Sequence, residues 1–192
     1  MFDAPGQRGG FRRRNGYKAS IYNFGCSDER QFQQIGTDGG LLERPVPLTR
    51  LRLSTGERAE ILVDFSGEEN SQVRLVSYSG ELDNINPIWN SNALDGSTID
   101  IMTIAVKAAT ADPITALPAS LASISRLQEG QASRVRTFKL EMGFTGPMKI
   151  NGVSMDMNRI DQTINLDDTE IWEISNNSDF PQIGKAAGRE RV

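Results

Sequence analysis

The chain holds one cysteine, Cys26, and no histidine. That count rules out a Ser-His-Asp triad, a Cys-His dyad, a zinc site of Cys and His, and an imidazole-ligated copper centre. Carboxylate, lysine and backbone chemistry are what remain. Asp38, Glu57, Arg58 and Asp64 carry the right groups, but glycosidase-type catalysis needs two carboxyls facing each other across a cleft, and nothing in their spacing enforces that. Turn and ion-pair roles are expected for them, with Asp38 suited to its Gly-rich turn. Met155 and Met157 are soft ligands by type, yet at strand spacing they are expected to face a core. Arg12-Arg13-Arg14 has the charge to grip phosphate. In a chain of net charge −4 without interleaved aromatics, it reads as a solvated strand edge. Gly36, Gly39 and Gly40 precede no Lys-Ser/Thr and no helix, so they are read as positive-φ turn positions and not as a phosphate loop. Cys26, with no imidazole beside it, is expected to be a small buried thiol. No catalytic, cofactor-binding or metal residue is assigned.

The elements that would position such groups are strands. Residues 11–14, 19–24, 32–35, 48–53, 59–65, 73–78 and 99–106 read as short extended runs with Gly and Pro punctuation at roughly ten-residue spacing, the pattern of a β-sandwich or barrel. Asn15-Gly16 marks a tight turn, and 54–57 another. Pro45 and Pro47 keep 43–47 out of any central strand, because each lacks the ladder donor. Residues 79–97 form a long polar loop carrying Asn84, Asn86, Asn90, Asn92, Pro87 and Trp89, a length that is usually functional or disordered. Residues 107–133, rich in Ala, Pro and Ser, read as a linker, with a short helix starting at Pro118 and ending at Ile124. Strand signals resume at 134–142, 148–150, 163–166 and 169–175, with Asn151-Gly152 as a second hairpin signal. The apolar share of 38% fits an ordered domain, no run of ~18 apolar residues is present, and the opening MFDAPGQRGG lacks the apolar core of an export signal. The acidic balance argues against general nucleic-acid or anionic-membrane binding.

Residues 32–66 are more specific. Ile35-Gly36-Thr37-Asp38-Gly39-Gly40, a Pro-containing edge, and then Gly56-Glu57-Arg58-Ala59-Glu60 resemble the middle cupredoxin domain of three-domain multicopper oxidases of the bacterial laccase, spore-coat laccase and bilirubin oxidase kind. Residues 11–22 resemble the preceding family segment. Ile150-Asn151-Gly152, Met155-Asp156 and Glu170-Ile171-Trp172-Glu173 resemble the opening of the third domain, and Asp112-Pro113 with Leu117-Pro118 fits the family linker. The likeness covers roughly residues 11–181.

The resemblance implies an all-β, cupredoxin-like Greek-key β-sandwich with a truncated second cupredoxin domain. The expected division is 1–106 (middle domain, first strand missing), 107–133 (linker), 134–181 (opening strands of a third domain) and 182–192 (non-family tail). Family members hold four coppers through His-x-His pairs in the first and third domains and through a Cys, two His and usually a Met at the blue-copper centre. None of these ligands belongs to the middle domain. The segment Asn176-Asn177-Ser178-Asp179-Phe180-Pro181 resembles one that leads into a His-Pro-x-His-x-His motif, whereas here Gln182-Ile183-Gly184-Lys185 follows. Copper is therefore implied for a full-length parent only, and its first and third cupredoxin domains are the expected partners, along with edge-strand self-association. No nucleic-acid or membrane partner is expected. The family is usually exported. Two readings stand open: an inactive piece of an oxidase that takes electrons from phenolic, bilin-like or metal-ion donors and reduces oxygen to water, or a copper-free scaffold resembling the family's periplasmic cell-division relatives.

Overall fold

The computed structural model describes residues 2–6, 8–14, 21–82, 97–111, 116–142 and 146–178. The Asn15-Gly16 turn, the loop residues Asn84 through Asn92, Asp112-Pro113 and the 182–192 tail lie outside them. The chain divides into two compact units, 1–124 and 125–192.

In the first unit, β1 (Phe2–Pro5), β3 (Tyr22–Cys26), β6 (Leu51–Leu53), β8 (Gln72–Tyr78) and β9 (Thr98–Lys107) form one sheet in the order β1-β9-β8-β3-β6. The other sheet, in the order β2-β7-β4-β5, joins β2 (Arg8–Arg14), β4 (Phe32–Thr37), β5 (Gly40–Leu48) and β7 (Arg58–Asp64). The all-β expectation holds, and one core cluster draws Phe24, Leu51, Leu75 and Ile104 from the first sheet and Phe11, Phe32, Ile61 and Val63 from the second. Strand β7 shows why the two faces separate: Ala59, Ile61 and Val63 alternate inward, while Glu60 and Asp64 alternate outward to meet β2. The register places Arg12 opposite Glu60 and Arg8 opposite Asp64, and both facing pairs close as ion pairs, Arg12 Nε to Glu60 Oε1 at 2.7 Å and Arg8 Nε to Asp64 Oδ2 at 3.1 Å. Such cross-strand pairs fix register. The arginine run is thus split by strand parity: Arg13 turns to the other face and donates from Nη2 to Met102 Sδ at 3.2 Å.

Strand β5 is the edge of its sheet, the place its two prolines require. Two local readings are corrected, and one strand escaped the sequence reading. The 48–53 run is two strands, not one, because the chain changes sheets at Thr49-Arg50: β5 ends at Leu48 and β6 begins at Leu51. The 118–124 segment is not helical; it belongs to the first unit, and Leu121 N–H donates to the Glu43 carbonyl of β5 at 2.8 Å. Strand β1, four residues with a proline and no alternation to reveal it, pairs in parallel with β9.

The second unit contains β10 (Arg134–Glu141), β11 (Lys149–Ile150), β12 (Val153–Ser154) and β13 (Glu170–Asn176), in the sheet order β12-β11-β10-β13 with β10 and β13 parallel. Asn151 and Gly152 join β11 to β12 with φ of 52° and 77°, the pair of positive values that a two-residue hairpin turn of this hand demands. The 163–166 run is not a strand, because the Arg136 guanidinium takes the Thr163 carbonyl at 2.8 Å and a turn follows, with Asp167 at φ 67°. Met155 and Met157, expected in a core, are 82% and 84% exposed; among the described residues no second layer covers them.

Candidate functional site

Each candidate carboxylate is committed to structure. Asp38 accepts from Arg58 twice, from the backbone N–H at 2.9 Å and from Nε at 2.7 Å, which ties the β4–β5 turn to the start of β7. Glu57 Oε2 accepts the Ser54 N–H at 2.6 Å and closes its own turn, where Gly56 sits at φ 86°. Asp64 Oδ1 accepts from the Ser66 hydroxyl at 2.6 Å and the Ser66 N–H at 3.0 Å. These bonds, led by the hydroxyl and reinforced by Arg8, hold its carboxyl below the usual range. None of the three carboxyls is left to act as an acid or base opposite another. Of the three glycines read as positive-φ positions, only Gly40 adopts one, at 107°. Gly36 lies instead at the β4 irregularity, where a Cβ would come within 3.2 Å of the Gly40 carbonyl oxygen and 3.3 Å of Glu60 Cβ.

Cys26 is 1% exposed on β3. Burial, reinforced by nearby Asp28, pushes its thiol up to about 11, the opposite of what a metal thiolate or a nucleophile needs.

Two arginine nodes went unnoticed in the sequence. The Arg50 guanidinium lies 3.7 Å from the Tyr78 ring centroid, donates from Nε and Nη2 to both oxygens of Glu81 at 2.8 and 2.9 Å, and reaches Glu29 Oε1 from Nη2 at 2.9 Å. The same contacts hold both carboxyls below their ordinary value, Glu81 and Glu29 alike through their bonds to Arg50. Glu29 occupies left-handed backbone at φ 59°, and the node ties that turn to both ends of the short 3-10 turn Ser79–Glu81, through Tyr78 before it and Glu81 at its close. Arg30 does the same work beside it, stacking 4.9 Å from the Phe65 ring, pairing with Asp28 and Glu68, and donating from Nη1 to the Asp64 carbonyl at 2.8 Å. The only outward signal of either was an arginine flanking an apolar strand. In the second unit, Arg136 pairs with Glu170 from Nε at 2.6 Å and Nη2 at 2.8 Å. Glu170 also accepts Trp172 Nε1–H at 3.1 Å, and these bonds, Arg136 first, lower its carboxyl to about 2.

Two clefts stand out among the described residues, one in each unit. In the first, a polar groove of about 720 Å³ runs between Arg8, Gln33, Arg44 and Leu62 of the sheet and the strap carrying Leu117 and Pro118. In the second, a cleft of about 520 Å³ is lined by Phe138, Leu140, Met148, Ile150, Val153 and Met155. Neither gathers metal ligands: among the described residues no three His, Cys, Asp or Glu side chains converge. Copper does not fit the donor set of this chain, which offers no imidazole and one sealed thiol.

No protein-family model matches the chain. It is 32% identical over 178 residues to the cell division protein FtsP of Rahnella sp. (strain Y9602), a match covering 91% of this chain and 36% of that protein. It is 28% identical over 169 residues to the laccase of Bacillus subtilis (strain 168), covering 86% of this chain and 32% of the laccase. Among solved structures, a bacterial laccase-like multicopper oxidase, CueO, from the lignin-degrading bacterium Ochrobactrum sp. superposes with a TM-score of 0.73 at 27% identity, covering 91% of this chain and 39% of that one. The chain spans about a third of the length of the curated relatives it matches.

Proposed function

The chain belongs to the multicopper oxidase family, and from that premise we propose that it is a redox-inert cupredoxin module of a copper-dependent oxidase. The parent takes electrons from phenolic, bilin-like or metal-ion donors and reduces oxygen to water, outside the cytoplasm, while the coppers sit on the first and third cupredoxin domains that are this module's partners. The observation that carries the reading is the pairing of a laccase-like sandwich with a complete lack of histidine. Among the described residues of the first unit, Arg8, Arg12, Arg30, Arg50 and Arg58 are committed to turns and strand register. In this role the module is a spacer whose rigidity matters more than its chemistry, and the Arg50 and Arg30 nodes supply that rigidity at the turns. The test is metal analysis and oxygen uptake after dialysis of the chain against Cu(II). The expected result is no retained copper and no turnover of a phenolic donor; one tightly held copper per chain would refute it.

A second reading is favoured by the FtsP relatives, whose identity of 29–33% overlaps and extends above the 28–30% of the laccase and the multicopper oxidases mco. On that reading the chain comes from a copper-free scaffold that binds a protein. Translating the coding DNA past Pro181 in all three frames separates the two: a frame encoding His-Pro-x-His and later His-Cys-His supports the oxidase, and three frames without them support the scaffold.

A further inference from the structure

The hairpin that joins β11 to β12 holds a reactive dipeptide. Asn151 is the one asparagine among the described residues that glycine follows, and a following glycine, having no side chain, leaves its backbone nitrogen open to attack on the asparagine carboxamide, a thermally labile group. Nothing lies within 4 Å of the position a Cβ would take on Gly152, and both residues are exposed, so neither bulk nor exclusion of water protects the pair. Hydrogen bonds do. Asn151 Nδ2 donates to the Thr137 carbonyl at 2.9 Å, its Oδ1 accepts the Lys139 N–H at 2.8 Å, and its own N–H donates to the Lys139 carbonyl at 2.9 Å. The Gly152 N–H, which must lose its proton for the nitrogen to become a nucleophile, donates to Glu141 Oε2 at 2.7 Å. All four bonds run to one strand, β10. The ladder that adds to them is short, Leu140 and Glu141 against Ile150 and Lys149, so release of the hairpin is a local opening.

We propose that Asn151-Gly152 is a self-modification site gated by β10: detachment of the hairpin lets the Gly152 nitrogen attack Asn151 Cγ, and the chain is permanently marked. The Gly152 N–H proton passes through water to the carboxamide nitrogen, the Cγ–Nδ2 bond breaks, and ammonia leaves behind a cyclic imide. One water then opens the imide at either carbonyl, to aspartate or to isoaspartate, with no oxidant and no cofactor. While the hairpin is pinned, both reacting groups are held back. Turning the carboxamide carbon toward the Gly152 nitrogen gives up both side-chain bonds, which keep the reacting atoms out of line. The Glu141 carboxylate is too weak a base to take an amide proton, and its negative charge favours the N–H form beside it. After reaction the clip cannot re-form. Aspartate has no Nδ2 hydrogen for the Thr137 carbonyl, and isoaspartate lengthens the backbone inside a tight turn. The gate is therefore one-way, and it operates whether the parent is an oxidase or a scaffold.

The test incubates the full chain in mildly alkaline buffer, with and without guanidinium chloride, and follows residue 151 by tryptic peptide mapping. The peptide Ile150–Arg159 reports it separately from Asn15, and protein-isoaspartyl methyltransferase detects the isoaspartate product. The expected result is conversion of Asn151 in the unfolded chain and a rate at least about thirtyfold lower in the folded one, because several hydrogen bonds must open before reaction. Glu141→Ala is expected to speed the folded chain about three- to tenfold and to leave the unfolded rate unchanged, whereas Glu141→Gln, which keeps an acceptor oxygen for the Gly152 N–H, stays within about twofold of the parent. Equal rates in the folded and unfolded chain, or no conversion at Asn151 in either, overturn the proposal. So does a Glu141→Ala rate equal to the parent's, or one that Glu141→Gln matches, since the Gly152 N–H would then not be what Glu141 guards.

Discussion

Gly25 lies under the Arg50 node, and replacing it tests whether that node is as tightly built as it looks. A methyl group at Gly25 would sit 2.8 Å from Arg50 Nη1 and 3.0 Å from both the Thr49 carbonyl oxygen and Tyr78 Cε2. The guanidinium can yield only by leaving Glu81 and the ring, and the carbonyl belongs to the backbone. Overpacking of this kind costs ~1–3 kcal/mol, so Gly25→Ala is expected to destabilise the first unit by about 2 kcal/mol. Arg50→Ala removes the half-exposed Glu81 pair, worth ~0.2–1 kcal/mol, and the ring contact, ~0.5–1 kcal/mol, for a total near ~1.5 kcal/mol. The double variant should cost less than the sum by about 0.5–1 kcal/mol, because the first clash disappears with Arg50 while the Thr49 carbonyl stays. Cys26 supplies the assay. It is the sole thiol and sealed, so a disulfide reagent at pH 8 labels it only through opening of the unit, at a rate proportional to the open population. About 2 kcal/mol corresponds to roughly 30-fold faster labelling for Gly25→Ala. Additivity within about 0.3 kcal/mol in the double variant would refute the argument, since it would mean that the methyl group and Arg50 never meet.

Two further outcomes concern the second unit, read by Trp172 emission in a Trp89→Phe background. Asn151 turns the hairpin with a positive φ, and its side chain also extends the ladder of β10, donating to the Thr137 carbonyl at 2.9 Å and accepting the Lys139 N–H at 2.8 Å; Asn151→Ala is expected to cost about 1–3 kcal/mol in urea unfolding, and an unchanged midpoint would show the side-chain bonds to be idle. Glu170 has a folded pKa of about 2 against an ordinary 4.5, so its contribution is complete above the unfolded value and is lost as pH falls from about 4.5 through about 2. Trp172 emission should shift across that window and Glu170→Gln should abolish the shift; a shift that survives the substitution would assign it to another carboxyl.

Much of this architecture was legible because apolar alternation is a local property. The inward set Ala59, Ile61 and Val63, the Asn151-Gly152 hairpin and the prolines of β5 each declare their place within a few residues. What escaped was decided by distant partners. The 48–53 alternation continues unbroken across Thr49-Arg50, so nothing local shows that Leu48 and Leu51 pair in different sheets. Residues 118–124 carry a helix-start proline, but Glu43, far away in sequence, offers Leu121 a carbonyl. The committed roles of Asp38, Glu57 and Asp64 agreed in kind with the turn chemistry read from the sequence, while their partners Arg8 and Ser66 did not follow from it. Met155 and Met157 were placed in a core by type and spacing, and type cannot report whether a covering layer is present.

The parallel pairing of β1 with β9 bears on how the first unit comes into being. Phe2 aligns with Ile104 and Pro5 with Lys107, so among the described strands of this unit the first in the chain closes against the last. Until then β9 is missing, β8 has an open flank, and the partial sheet exposes an unpaired edge, the kind of surface on which neighbouring nascent chains join. Loop closure over such a span is slow relative to local hairpins. A late, sequence-distant pairing of this kind makes refolding of the first unit slower than the closing of its local hairpins.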